Sequence, residues 1–372
     1  MVALALLLLV ACGPGDRGAR AGGCPDGGVA IGFLGALTGD NAQLGINLRN
    51  GAQLAIDQYN ATRAGCPVEL APFDSQGDPA QAPALAAEAV QSPRIVALIG
   101  PAYSGESKVA DPVLDQGGLP LVTIATNAAL SQNGWKVFHR VVANDRVQGA
   151  AAAGYIRQTL RAARVAVIDD ASEYGKGIAD IVRAELGPGT VILDDSIDPN
   201  AQDYSSTVNG VRVAGPQVIF YGGYYAEAGL LLKQLRDAGV TATFVSDDAA
   251  NDPGLIEAAG QSAAEGALLT CPCAPVEQAR DGATFRATYT RAFSQEPGAY
   301  AAEGYDAADV LLQAIAAGHL DRASINAFLA TVDSQGITKR IAFDAHGEVA
   351  DQRIFLYQVK GGEIVPVGQI TR

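Results

Sequence analysis

Four short stretches of the chain hold side chains whose types and spacing could do chemistry. Ile99-Gly-Pro-Ala-Tyr-Ser-Gly-Glu-Ser107 closes an apolar run and opens onto hydroxyl groups. Thr123-Ile-Ala-Thr-Asn127, Tyr221-Gly-Gly-Tyr-Tyr225 and Ser246-Asp-Asp248 repeat that transition further along. Ser104, at a strand-to-helix turn, could attack a substrate or only hold one. Attack needs a base within reach, yet His139, His319 and His346 are scattered and no motif surrounds any of them. The stretch Ala102-Tyr-Ser-Gly-Glu106 lacks the Gly-x-Ser-x-Gly pentapeptide of a nucleophile elbow. Gly32-Phe-Leu-Gly35 lacks the third glycine of a dinucleotide fingerprint. No Walker A loop and no metal-ligand spacing occur either, so neither a cofactor nor a metal is expected.

Binding chemistry is better represented. Ser104, Gly105 and Ser107 fall where the N–H groups of a helix start point outward, a site suited to a carboxylate; for Ser107 the plainer role of helix cap is as reasonable. Asp247 and Asp248 follow a strand in the second half of the chain, and the paired glycines Gly222 and Gly223 permit close backbone approach. Anion-seeking hydroxyls from one half and a cation-seeking carboxylate from the other suit a zwitterion.

The elements that must position these groups alternate. Strands are expected at Val29–Gly35, Val68–Phe73, Arg94–Ile99 and Leu119–Ala125, separated by helices near Leu44–Thr62, Ala80–Gln91 and Ser107–Asp115. The pattern restarts with a helix at Asp145–Arg161 and strands at Arg164–Asp169, Thr190–Asp194, Gln217–Tyr221 and Thr243–Ser246, with helices between them. Helices at Ala279–Ser294, Tyr300–Ala317 and Asp321–Thr331 and strand-like segments at Ile341–Asp344, Ile354–Val359 and Ile364–Val367 finish the chain. Repeated βα units imply α/β lobes with mostly parallel sheets covered on both faces, and open sheets of this kind place ligands at the carboxyl ends of their strands.

A length of 372 residues leaves room for two domains, and 48% hydrophobic against 18% charged residues fits a globular chain. The net charge of −14 with no Lys/Arg block argues against a nucleic-acid partner. Val2–Val10 is too short for a spanning helix, which needs about 20 residues, and suits the apolar core of an export signal. Leu9-Val-Ala-Cys12 resembles the lipobox of bacterial lipoproteins, which implies a signal peptide at 1–11, lipidation of Cys12 and a linker at 12–27; no Lys or Arg precedes the apolar run, which leaves the true start codon open. Cys24, Cys66, Cys271 and Cys273 remain. Cys24 and Cys66 each precede a strand, and a disulfide can join them if those strands are parallel neighbours. Cys271-Pro-Cys273 could close a small ring or stay as thiols.

Several motifs, in order, resemble the leucine/isoleucine/valine-binding proteins, the periplasmic receptors of branched-chain amino-acid ABC transporters. They are Gly35-Ala-Leu-Thr-Gly39, Gly51-Ala-Gln-Leu-Ala-Ile-Asp57, Glu173-Tyr-Gly-Lys-Gly177, Phe220-Tyr-Gly-Gly-Tyr224, Gln234-Leu-Arg-Asp-Ala-Gly239 and Gly304-Tyr-Asp-Ala-Ala308, and the likeness runs over about residues 28–368. The resemblance implies two Rossmann-like lobes, 28–143 with 272–340 and 144–271 with 341–372, joined by a three-stranded hinge that closes on the ligand. It implies a carboxylate contact from Ser104, an ammonium acceptor in the Ala125 carbonyl, and Tyr224 and Asp248 beside the ammonium. Asn127 stands where the family has a threonine. Tyr174 and Tyr300 match pocket aromatics, Leu44 replaces another, and Tyr103 replaces a cysteine. The expected partners are a small-molecule ligand, an ABC permease and, through the anchor, the outer face of the cell membrane; a monomer with no catalytic activity is expected. Two alternatives are a sensor for amides, urea or aromatic acids on the same fold, and a secreted serine hydrolase using Ser104.

Overall fold

The computed structural model describes residues 23–62 and 65–371; the signal peptide at 1–11 and the lipidation expected at Cys12 lie outside them. The first half builds one sheet from β1 (Val29–Gly35), β2 (Val68–Asp74), β3 (Ile95–Ile99), β4 (Leu121–Thr123) and β5 (Phe138–Arg140). All are parallel, in the order β2-β1-β3-β4-β5. Connections run through α1 (Ala42–Thr62), α2 (Ala82–Gln91) and α3 (Ser104–Gln116). β1 and β3 are buried at every position, as continuous apolar runs covered on both faces must be, whereas edge strand β2 is only partly buried. Because β2 lies on one side of β1 and β3 on the other, the chain leaves their carboxyl ends in opposite directions and opens a crevice there.

The second half follows α4 (Asp145–Gln158), whose first turn is capped by the Asn144 side chain accepting from Arg146 N at 3.1 Å. It comprises β6 (Val165–Asp169), α5 (Glu173–Leu186), β7 (Val191–Ser196), α6 (Ser205–Ala214), β8 (Val218–Gly222), α7 (Tyr225–Asp237), β9 (Thr243–Ser246), α8 (Pro253–Ala259), α9 (Gln261–Ala264) and β10 (Leu268–Cys271). Then come α10 (Gly282–Phe293), α11 (Ala301–Ala316), α12 (Arg322–Leu329) and the two-residue strands β11 (Ser334–Gln335) and β12 (Arg340–Ile341). The hairpin β13 (Ile354–Lys360) and β14 (Glu363–Ile370) closes the second sheet, whose order is β14-β13-β10-β9-β8-β6-β7. Its parallel part, β7-β6-β8-β9-β10, repeats the order of the first sheet. The protein is thus a two-lobed, mostly parallel α/β molecule.

Helices α11 and α12 return to the first sheet, where α11 packs on α1. That contact is backbone-close: a Cβ at Gly51 would collide with the Ala301 carbonyl, and one at Gly304 with that of Leu48. The chain passes between the lobes three times, through 141–144, after Cys271 and through 342–353. A buried charged side chain holds each passage. Lys339 Nζ donates to Val141 O at 3.1 Å, Glu303 Oε1 accepts from Ala274 N at 2.9 Å, and Glu348 pairs with Arg140. Lys339, Glu303 and Glu348 are each buried, and burial pushes the Lys339 ammonium down and the Glu303 carboxyl up.

The Cys24–Cys66 disulfide is formed, with Cα atoms 5.3 Å apart, at the paired starts of β1 and β2, where Val29 faces Val68. Cys271 and Cys273 are also bonded to each other, so the small ring forms. Five elements escaped the sequence reading: β5, β10, β11, α8 and α9. Strand β5 holds His139 and Arg140, polar residues that no apolar run reveals. The cap expectation for Ser107 is corrected. Helix α3 begins at Ser104, and the Ser107 hydroxyl donates back to Pro101 O at 3.3 Å.

Candidate functional site

The carboxyl ends of the two sheets face each other across a narrow cleft. Of the expected site residues, Leu44, Tyr103, Ser104, Ala125, Tyr174, Tyr224, Asp248 and Tyr300 line it; Asn127 does not. Ala102, Ile124, Thr126 and Ala249 complete the lining; the first three lie in stretches already singled out, without a role of their own, and Ala249 directly follows one. Topology explains the convergence. Leu44 follows β1, Tyr103 and Ser104 follow β3, and Ala125 follows β4. From the other side, Tyr174 follows β6, Tyr224 follows β8 and Asp248 follows β9.

On the first wall, Ser104 is the first residue of α3. Its Oγ accepts from Asn127 N at 3.2 Å, which leaves its own proton free to be donated. The N–H groups of the first turn of α3 add positive potential beside it. Behind this wall Glu106 is buried; its carboxylate accepts from Tyr103 N at 3.2 Å and from the Ser75 hydroxyl, and burial lifts its pKa to about 7.

The opposite wall is acidic. Asp248 Oδ1 accepts from the Tyr174 hydroxyl at 2.7 Å and Oδ2 from the Tyr300 hydroxyl. Burial pushes the Asp248 carboxyl up. Adjacent Asp247, whose Oδ2 accepts from Gly223 N at 2.9 Å, is pushed well up by burial and then by the Asp248 charge. Asp145 is raised to about 8 by the same two causes in the same order. Neither aspartate caps a helix; Asp252 caps α8, accepting from Gly254 N at 2.8 Å. Among the described residues no Lys or Arg lines the cleft. A cation brought against Asp248 would therefore restore ionisation that burial opposes.

Two expected contacts are placed differently. The Ala125 carbonyl accepts from Arg140 Nη1 at 2.8 Å, and Arg140 also reaches Asn127 O at 2.9 Å while its Nε meets Glu348 Oε2 at 3.1 Å. Asn127 spends its side chain across the lobes: Nδ2 donates to Glu173 O at 2.9 Å, and Oδ1 accepts from Ala129 N at 2.9 Å. Further contacts join the lobes at the mouth. Lys108 pairs with Glu173 at 2.7 Å, Gln43 N donates to the Tyr225 hydroxyl at 3.3 Å, and Asn41 Nδ2 donates to Glu227 Oε2 at 3.1 Å.

The three histidines lie away from Ser104. His139 faces the Leu121 and Val137 carbonyls and is lowered to about 4 by burial; His319 packs on Phe328; His346 is exposed in a turn. Among the described residues no cluster of His, Cys, Asp or Glu could hold a metal ion, and no helix is long and apolar enough to cross a membrane.

Two repeated α/β lobes, with an acidic wall facing a hydroxyl-bearing one between them, define a two-lobed ligand-binding protein. The chain belongs to the periplasmic binding protein family, whose model matches residues 28–363. It is similar to the Leu/Ile/Val-binding protein BraC3 of Rhizobium johnstonii, with 32% identity over 91% of this chain and 93% of that one. Among solved structures it resembles the leucine-binding protein LivK of Thermotoga maritima, at 30% identity and a TM-score of 0.85, covering 92% of this chain and 99% of that one. The branched-chain amino-acid transporter substrate-binding protein LivJ of Streptococcus pneumoniae, solved with isoleucine, superposes with the same TM-score at 26% identity and the same coverage.

Proposed function

We propose that this protein is the solute-binding receptor of an ABC importer, capturing a small amino acid, branched-chain or related, outside the cytoplasm. The observation that carries this reading is the polarity of the cleft: buried Asp248 on one wall, Ser104 and the start of α3 on the other, and, among the described residues, no basic side chain between them. Asp248, backed by Tyr174 and Tyr300, takes the ammonium, and Tyr224 flanks it. The Ser104 hydroxyl and the α3 N–H groups take the carboxylate. Ala125 is held by Arg140, so its carbonyl is the lesser ammonium contact. Lobes at 28–143 with 272–340 and 144–271 with 341–372 close about the three passages, which excludes water and strengthens both charge contacts. Cys12 carries the lipid anchor that keeps the receptor, a monomer, near its permease. The absence of any histidine from the cleft lining supports binding over hydrolysis.

The test is a thermal-shift screen of the protein against amino acids, amides, urea and aromatic acids. An amino acid at a hundredfold excess over its Kd should add about 2.7 kcal/mol of apparent stability. A response confined to amides or aromatic acids would transfer the protein to the sensor reading. Ester turnover abolished by Ser104→Ala would establish a hydrolase instead.

A further inference from the structure

The four tyrosines of the cleft divide into two kinds. Tyr174 and Tyr300 turn their hydroxyls to Asp248 and serve the acidic pole. Tyr103 turns away: its hydroxyl donates to Asn41 O at 2.6 Å, while its ring meets the edge of Tyr224 with centroids 5.3 Å apart. Tyr224 in turn contacts Tyr174 at 5.5 Å. The Tyr103–Tyr224 pair thus bridges the lobes across the cleft that both residues line.

Tyr103 is not free to swing aside. Its backbone N–H is fixed by buried Glu106 at 3.2 Å and its hydroxyl by Asn41. Asn41 is itself held by the other lobe, through Glu227 at 3.1 Å and Ala226 N at 3.2 Å. A ring pinned at both ends keeps its shape when a ligand arrives, so it limits size and does not adapt. The room left within the lining is about 20 Å³, far below the roughly 300–1,000 Å³ usual for small-molecule sites, so the two rings close tightly on whatever the cleft holds.

We infer that Tyr103, braced by Tyr224, is a specificity-determining residue that restricts the cleft to α-amino acids with compact aliphatic side chains, alanine- to valine-sized, and excludes leucine and aromatic ones. This rests on the amino-acid reading above. The experiment is titration calorimetry of the full chain and its Tyr103→Ala variant with alanine, valine, leucine and phenylalanine. The native protein should bind alanine or valine at least tenfold more tightly than phenylalanine or leucine. Tyr103→Ala should shift the phenylalanine-to-alanine affinity ratio at least tenfold towards phenylalanine. Tyr224→Ala, which removes the opposing ring, should shift that ratio the same way and carries the test if Tyr103→Ala does not fold by circular dichroism. Native binding of leucine or phenylalanine as tight as valine, or a ratio that moves less than tenfold in the folded variants, overturns the size limit while leaving the amino-acid receptor standing. Failure of every amino acid to bind the native protein overturns both.

Discussion

Arg140 and Ala125 are joined by a 2.8 Å hydrogen bond from a fully buried guanidinium to the carbonyl of a cleft-lining residue. The same guanidinium holds Asn127 O and pairs with Glu348, whose Oε1 also accepts from Asn144 Nδ2 at 3.1 Å. One side chain therefore ties the ligand loop to two of the three interlobe passages. Arg140→Met would leave Glu348 with a buried, uncompensated charge and the Ala125 and Asn127 carbonyls without their donor. Loss of one partner of a buried ion pair costs about 3–5 kcal/mol, and urea denaturation of the variant should show a loss of that order. Arg140→Lys should rescue only part of it, because an ammonium cannot fork between two carbonyls and a carboxylate.

The two poles of the cleft should separate on mutation. Ser104→Ala removes one charge-assisted hydrogen bond and should weaken amino-acid binding by about 1–3 kcal/mol. Asp248→Asn removes the charge opposite the ammonium and should cost more, about 2–5 kcal/mol. Calorimetric titration of both variants with one ligand checks the order.

Asn127 holds the lobes together through Glu173 O and does not line the cleft. Asn127→Ala should therefore weaken every ligand by the same factor, about 0.5–1.5 kcal/mol, whether or not the ligand carries a carboxylate. Comparison of an amino acid with its amide in native and variant protein decides it: a loss confined to the free acid would restore Asn127 as a carboxylate contact.

Glu106 should make the fold sensitive to pH. Its pKa rises from the ordinary 4.5 to about 7 through burial, so between those values the folded chain keeps a proton that the unfolded chain has lost. Stability contributed by this group is thus greatest at the acid end of the window and falls as pH rises through it, by about 3 kcal/mol in all. In Glu106→Gln that component of the slope should vanish, which denaturant midpoints at pH 5 and pH 8 for both proteins would reveal.

The Cys24–Cys66 bridge closes a span of 42 residues around β1 and α1. Its loss in Cys66→Ser should lower stability by about 3–4 kcal/mol on the loop-entropy account. In urea melts the native chain should approach the variant value with reductant and stay above it without.

Most of this cleft was legible because strand ends are the only places an open α/β sheet offers for ligands, and apolar runs mark strand ends plainly. Ser104, Tyr224 and Asp248 each stand just after such a run. Arg140 was not legible. It lies in a three-residue strand, Phe138–Arg140, too short for any period, and its burial depends on Glu348, 208 residues away. Asn127 could be read as a donor, but its direction was decided by Glu173 on the other lobe, a partner no local pattern announces. Tyr103 was read as a wall residue; its second tether, the Asn41 carbonyl, lies 62 residues earlier in the chain, beyond any local pattern.

The repeated strand order has a bearing on how such a receptor can change its cargo. Position for position, the loops after β1, β3 and β4 answer those after β6, β8 and β9: Leu44 answers Tyr174, Ser104 answers Tyr224, and Ala125 answers Asp248. The two lobes share one strand order, and on the proposed function the side chains of Ser104 and Asp248 are what chiefly tell the carboxylate end of a ligand from the ammonium end. Ligand polarity is thus a property of a few replaceable residues, and a handful of exchanges across the cleft could turn the bound molecule end for end while every strand stayed in place.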